Sequence, residues 1–184
     1  MKQSGKVALG GMLIALSVVI LLPTVFEGLV YTMAAMSGLL TMFAVVELDK
    51  KWAMAVYAAT SVLGLLFVPN KETVVLYVAF FGYYPVLKAL VESKLGRAAE
   101  YVVKFAVFNL SVVLAYIMLI KVFGMPFDKV MGIEGESGFI AKYIVPIMLL
   151  LGNLVFVLFD ILLTKCVILY LRVWQKRFRR LFRF

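Results

Sequence analysis

Long apolar segments separated by short charged breaks make up most of this sequence. A helix needs about 20 mostly apolar residues to cross a bilayer, with roughly 17 as the lower limit. Six segments meet or nearly meet that length, and the third is the least secure: Val7–Pro23, Leu29–Val46, Trp52–Val68, Thr73–Leu90, Tyr101–Phe123 and Ile140–Leu171. The pattern therefore predicts an all-α integral membrane protein, a bundle of six transmembrane helices.

The composition favours the same fold class. Of the 184 residues, 65% are hydrophobic and 16% are charged, whereas soluble domains have roughly 45–50% apolar and about 25% charged residues. A water-soluble domain of this size cannot bury so much apolar surface, so lipid must cover the excess. We expect one membrane domain over residues 1–171, followed by a tail over residues 172–184.

Lysine and arginine are distributed unevenly between the two sides of the predicted bundle. If the N-terminus lies inside, 15 of the 19 basic residues fall on the inner side or at the inner ends of spans. The outer side then holds only Lys71, Lys121, Lys129 and Lys142. Because positive residues near span ends stay in the cytoplasm, we expect a multi-pass protein of the cell membrane with both termini cytoplasmic.

The C-terminal sequence RVWQKRFRRLFRF has the pattern of a basic amphipathic helix. Its apolar positions are Trp174, Phe178 and Leu181, and its basic positions on another face are Arg172, Lys176, Arg179 and Arg183. This pattern indicates contact with anionic lipid headgroups, with docking to an acidic protein as the alternative. Nucleic acid is not an expected partner, because the basic residues gather at the ends of apolar segments.

Several kinds of chemistry are excluded by what the sequence lacks. It contains no histidine and a single cysteine, Cys166, so a Ser-His triad, an HExxH zinc site, histidine-ligated haem and a CxxC pair are impossible. It contains no GxxxxGK[ST] phosphate loop, so active transport would require a separate ATPase. We predict no catalytic residue, no cofactor and no metal site.

Small residues form a stripe on the first predicted helix. Ser4, Ala8, Gly11 and Ala15 follow one another at steps of four, three and four, and therefore share one face. In lipid, such a face lets another helix backbone approach closely. The stripe packs either inside this protein's own bundle or against a second membrane protein.

Polar residues within the predicted spans require partners. Asp160 carries a carboxylate that is costly in hydrocarbon unless it is paired. Lys88 is the candidate partner, because both residues lie toward the cytoplasmic ends of their helices, although Glu92 competes for it at i+4. A structural Lys88–Asp160 pair is favoured over a proton relay. Asn109 and Asn153 are two further polar residues inside spans.

The sequence FFGYYP, residues 80–85, interrupts the fourth predicted span. Pro85 lacks an N–H group and clashes with the carbonyl of Phe81, so we expect a kink there. The break either lines a cavity, where Tyr83 and Tyr84 supply hydroxyls, or is only structural.

Polar residues gather in the loops on the predicted outer side. The loop at 124–138 is rich in glycine and is either a substrate lid or a flexible connector. Charges of both signs are present, so the loops suit a small polar or zwitterionic ligand with an aromatic part. The predicted substrate-binding residues are Glu27, Tyr31, Asn70, Glu72, Asn109, Glu134 and Asn153.

Six short spans, cytoplasmic termini, long outer loops and the stripe of Ala8, Gly11 and Ala15 resemble the substrate-binding S component of energy-coupling factor (ECF) transporters. The resemblance implies that the stripe meets a transmembrane coupling subunit, that separate ATPases supply energy, and that a small molecule such as a vitamin binds from outside. The nickel and cobalt members use an N-terminal histidine, which this chain lacks.

A scaffold similar to MreD-like cell-shape proteins is the alternative, because those proteins are also small membrane bundles. A polar outer pocket would favour transport, whereas a solid bundle would favour the scaffold. An intramembrane enzyme is a third possibility without a catalytic signature.

Overall fold

The computed structural model describes residues 3–25, 27–126 and 138–175, and within these ranges all regular structure is helical. In the described part of the chain the α-helices are, in order, α1 Gln3–Leu21, α2 Val30–Glu47, α3 Lys50–Phe67, α4 Lys71–Leu76, α5 Tyr84–Lys94, α6 Arg97–Lys121 and α7 Gly138–Leu169. Two short 3₁₀ turns, Leu22–Val25 and Glu27–Leu29, connect α1 to α2.

Five helical segments in the described ranges are long and apolar enough to cross a membrane. They are Gln3–Leu21, Val30–Glu47, Lys71–Lys94, Arg97–Lys121 and Pro146–Trp174. The predicted all-helical membrane bundle is therefore confirmed. α3 is not among the five, because Lys50 and Lys51 in its first turn lower its hydropathy, and it was also the weakest span expected from the sequence. The sixth span stays a prediction.

Helices α4 and α5 are the two halves of one central helix. The π turn Tyr77–Phe81 joins them, with the Gly82 N–H donating to the Tyr77 carbonyl over 2.7 Å, and Pro85 lies in the first turn of α5. The break expected from FFGYYP is thus confirmed. In the most apolar stretch of this central helix, 61% is buried inside the protein, whereas only 17% of the corresponding stretch of α7 is buried. The other helices therefore surround the central helix.

The two ends of the bundle are defined by the turns between successive helices. At one end, here called the Asp49 end, Asp49 accepts hydrogen bonds from the backbone N–H groups of Lys51 and Trp52 and begins α3. At the other, the Asn70 end, the Asn70 side chain accepts from the Thr73 N–H over 3.2 Å and begins α4. Each side chain satisfies N–H groups that a helix start leaves without partners.

Aromatic rings fill the space between the central helix, α6 and α7. The Phe108 and Phe156 rings stack 4.7 Å apart, and Phe80 meets both rings edge-on. Where α2 meets the central helix, a Cβ atom at Gly38 would lie 2.5 Å from the Phe81 carbonyl oxygen. Glycine therefore lets α2 touch the π turn backbone to backbone.

The outer faces of the helices are apolar. On α7, Leu150, Leu154 and Leu158 repeat at steps of four and are 74%, 58% and 59% exposed. Large apolar side chains in a continuous stripe need an apolar neighbour. Lipid acyl chains meet that requirement.

Candidate functional site

The carboxylate of Asp160 is paired with Lys88. The Lys88 Nζ atom lies 2.5 Å from Asp160 Oδ1 and 2.6 Å from Glu92 Oε1. The predicted Lys88–Asp160 pair is confirmed, and the competing contact with Glu92 forms at the same time. Lys88 therefore links α5 to α7 while remaining bonded within its own helix.

A second lysine, Lys104 on α6, completes this cluster. Its side chain is 1% exposed, and its Nζ atom lies 2.5 Å from Glu100, 2.7 Å from Glu92 and 3.4 Å from Asp160. From the sequence, Lys104 counts only as one of the basic residues on the inner side, and no contact is predicted for it. The i,i+4 spacing of Glu100 and Lys104 at the start of an apolar helix was the signal that could have identified it.

The Tyr84 hydroxyl adds a neutral donor, lying 2.6 Å from Asp160 Oδ1. We call Lys88, Glu92, Glu100, Lys104 and Asp160 the charge cluster. Two ammonium groups and three carboxylates from α5, α6 and α7 contact one another, so each buried charge has an opposite charge beside it. Such an arrangement holds three helices together.

A cavity of about 140 Å³ lies beside the charge cluster, at the Asp49 end of the bundle. Its walls are apolar residues of α2 and α7, and Lys88 and Glu92 contribute the polar part of its lining. Three of the residues predicted to bind substrate, Tyr31, Asn70 and Glu72, lie elsewhere, at the Asn70 end.

At the Asn70 end, the structure brings Tyr31 and Glu72 together. Tyr31 on α2 is 56% exposed, and the Glu72 carboxylate on α4 interacts electrostatically with the phenols of both Tyr31 and Tyr116. Tyr116 lies on α6, within the predicted span Tyr101–Phe123. A carboxylate near two tyrosines can bind a polar ligand with an aromatic or cationic part.

The other loop residues predicted to bind substrate have different outcomes. The Asn70 side chain caps α4. Glu134 lies outside the described residues, as does the side chain of Glu27. Substrate binding by these residues stays a prediction.

Asn109 and Asn153 bind each other. Asn109 Nδ2 donates to Asn153 Oδ1 over 3.0 Å, and Asn153 Nδ2 donates to Asn109 Oδ1 over 3.1 Å. Each Nδ2 also donates to the carbonyl four residues earlier in its own helix, that of Phe105 or Leu149. The reciprocal pair bridges α6 and α7, so a substrate would have to compete with four hydrogen bonds.

The small-residue stripe of α1 faces away from the bundle. Ser4, Ala8, Gly11 and Ala15 are all exposed, whereas the buried residues of α1 are Leu9, Gly10, Leu13, Ser17 and Leu21. A Cβ atom at Gly11 would meet no atom within 4 Å, whereas one at Gly10 would meet Val56 at 3.7 Å. The stripe therefore does not pack inside the described part of the bundle.

The end of α7 is attached to α2 at the Asp49 end. The Tyr170 hydroxyl and the Gln175 amide donate to Glu47 Oε1 over 3.1 and 3.2 Å. A π turn, Tyr170–Trp174, continues the helix past the predicted domain boundary at residue 171. Residues 176–184 of the predicted amphipathic tail lie outside the described residues.

In the ranges that the structure describes, no three acidic or cysteine side chains are placed to hold a metal ion. No family model matches the sequence, and neither a curated protein nor a solved structure matches it.

Proposed function

We propose that this chain is the membrane-embedded, substrate-binding S component of an ECF-type uptake transporter, energised by separate ATPases. The observation that carries the proposal is the outward position of Ala8, Gly11 and Ala15 on α1. A helix facing only lipid has no need of small side chains, and large apolar ones are common on the other exposed faces of this protein. A row of small residues instead suits close contact with a helix of another membrane protein.

The partner in this proposal is a transmembrane coupling subunit, and the S-component-like fold would have six spans with α3 as the sixth. α3 has 18 residues, which is long enough to cross a bilayer. Its N-terminal lysines lie at the Asp49 end, where the other helix ends also carry most of the basic residues. By the positive-inside rule, the Asp49 end and both termini are cytoplasmic.

In the same proposal, the substrate is a small molecule such as a vitamin and enters from the outer side, at the Asn70 end. The electrostatic interaction of Glu72 with Tyr31 and Tyr116 supports this placement, because it puts a carboxylate near an exposed aromatic ring. These groups suit a polar or zwitterionic molecule with an aromatic part. Glu27, Asn70 and the loop carrying Glu134 would complete the entrance.

Co-purification tests the proposal. Tagged protein from its native membrane is expected to carry a second polytopic membrane protein and ATPase subunits, and Gly11→Leu or Ala15→Leu should release them while the chain stays folded. Leu16→Met is the matched control, because Leu16 is 48% exposed on α1 but lies about 100° around the helix from Ala15, off the stripe.

Loss of folded protein in both stripe variants would contradict an exposed docking face. Co-purification of cell-wall synthesis proteins without ATPases would replace the transporter proposal with the MreD-like scaffold.

A further inference from the structure

Four hydroxyl groups meet where α2 and α3 contact the π turn of the central helix. They belong to Ser37, Thr41, Thr60 and Tyr77, and each of these residues is 0% exposed. The Thr41 and Tyr77 hydroxyls share a hydrogen bond of 3.2 Å. Ser37 precedes Thr41 by one helical turn, so both lie on the face of α2 that meets the π turn.

Thr60 approaches the same point from α3. The Tyr57 hydroxyl, one turn before Thr60, donates to the Val78 carbonyl over 2.8 Å, and the Tyr57 and Tyr77 rings lie 6.0 Å apart. This contact fixes α3 against the π turn and brings Thr60 beside the Tyr77 phenol. Three separate helical segments therefore contribute hydroxyls to one small space.

Two of the four hydroxyls, Ser37 Oγ and Thr60 Oγ1, have no hydrogen-bond partner among the described residues. Both lie near the Tyr77 phenol, but neither reaches it in direct hydrogen-bonding geometry. Leaving a buried hydroxyl without a partner is costly, and buried polar groups in proteins almost always have one.

Other hydroxyl groups of this chain form a hydrogen bond within their own helix. Ser61, Ser111 and Thr164 each donate to the carbonyl four residues earlier, over 2.8, 2.7 and 3.0 Å. Ser37 and Thr60 do not form this bond, although it is available to any serine or threonine in a helix. Their oxygen atoms, which lie near the Tyr77 phenol, therefore remain able to bond another group.

The chemistry of the four groups indicates which ligand fits. All four are neutral and each can both donate and accept a hydrogen bond. A metal cation held by them alone would have no opposite charge in an apolar core, which is prohibitively costly. A water molecule requires only two to four polar partners and commonly occupies such sites.

We propose that Ser37, Thr60 and Tyr77 bind an internal water molecule at the π turn. The water accepts or donates one hydrogen bond with each side chain and so bonds α2 and α3 to the one turn where the central helix leaves α geometry. π turns interrupt the regular hydrogen-bond ladder of a helix. The water makes this turn a hydrated contact point between three helices.

Radiolytic footprinting of the detergent-purified full chain in isotope-labelled water tests the proposal. A buried side chain takes up oxygen from water only when a water molecule lies against it, so Tyr77 is expected to be labelled despite being 0% exposed. The double variant Ser37→Ala, Thr60→Val should lose most of that label. Thr73→Val is the matched control, because Thr73 also has a fully buried hydroxyl without a partner, and it should keep the label.

Absence of label on Tyr77 in the unaltered protein would overturn the proposal without any variant. Unchanged labelling in the double variant would overturn the assignment to these hydroxyls. A thermal midpoint that rises in sodium chloride relative to choline chloride, and does so only when Ser37 and Thr60 are present, would replace water with a cation.

Discussion

Lys88 and Asp160 stand 72 positions apart in the sequence, yet their Nζ and Oδ1 atoms lie 2.5 Å apart. Their side chains are 8% and 14% exposed, so both charges lie in the protein interior. An uncompensated charge at such a position is far more costly than a pair. The contact therefore constrains how α5 and α7 can be arranged.

Breaking this pair from either side is expected to destabilise the protein. Lys88→Met and Asp160→Asn should each lower the free energy of unfolding by about 3 kcal/mol, because each leaves the buried opposite charge with less compensation. The double variant should lose less than the sum of the two. Chemical unfolding of detergent-solubilised protein measures the cycle, with exposed Lys94→Met as the control. Strict additivity would mean that the two residues do not interact.

Lys104 is expected to matter more than Lys88. It is 1% exposed and contacts the carboxylates of Glu92, Glu100 and Asp160, so Lys104→Met leaves three negative charges with less compensation. The loss in the free energy of unfolding should exceed that of Lys88→Met and lie at or above the roughly 3–5 kcal/mol typical of broken buried pairs. The same unfolding assay compares the two variants. A smaller loss than for Lys88→Met would contradict the central position of Lys104.

The sequence allowed the spans and one ion pair to be predicted, because both follow from local patterns. The expected segment Leu29–Val46 differs from the observed α2, Val30–Glu47, by one residue at each end. Lys88 and Asp160 were both expected near the cytoplasmic ends of their spans. The cost of leaving either charge unpaired was therefore enough to predict that they pair.

Contacts between distant helices were harder to predict, because they depend on how the helices rotate against one another. Asn109 and Asn153 were expected to bind substrate, but the structure turns their amide groups toward each other. Lys104 resembled an ordinary span-end lysine, and only the packing of α6 against α5 and α7 brings it to Asp160. Likewise, the direction in which the α1 stripe faces could not be predicted without knowing where α2 and α3 pack.

The Asn109–Asn153 pair is expected to act as a bridge between α6 and α7. Asn109→Ala and Asn153→Ala should each cost about 0.5–1.5 kcal/mol of unfolding free energy, as interhelical hydrogen bonds in membranes do. The double variant should cost less than their sum, since each single change already breaks the same two bonds. Additive losses accompanied by weaker substrate binding would instead assign both amides to the substrate site.

Asp49 gives a pH dependence with a definite sign. The hydrogen bond from the Trp52 backbone N–H, followed by that from Lys6, lowers the pKa of the Asp49 carboxyl below 3.8. A lowered folded-state pKa contributes stability that is complete above the unfolded value of about 3.9 and disappears as the pH falls through the folded value. Asp49→Asn keeps a cap but loses the charge. It should therefore be less stable than the unaltered protein at pH 7 and nearly equal to it in acid. A stability difference that is the same at both pH values would contradict this role.

The proposed topology predicts which positions are accessible from each side of the cell membrane. In a Cys166→Ala background, a cysteine at position 134 should react with a membrane-impermeant maleimide in intact cells, whereas one at position 97 should react only after the cells are opened. Reversed accessibility, with position 97 reacting in intact cells and position 134 only after the cells are opened, would mean that α3 does not cross, since removing one span reverses everything that follows it.

Photo-cross-linking from α1 in native membranes is the most direct test of the central claim, that the small-residue stripe docks a coupling subunit. A photoreactive residue placed at Ala15 should cross-link to one polytopic membrane protein that carries bound ATPases. The same residue at Leu16, which is 48% exposed on α1 but lies about 100° around the helix from Ala15, should cross-link mainly to lipid. Equal cross-linking of the two positions to lipid, with no protein partner at Ala15, would contradict the proposed docking face.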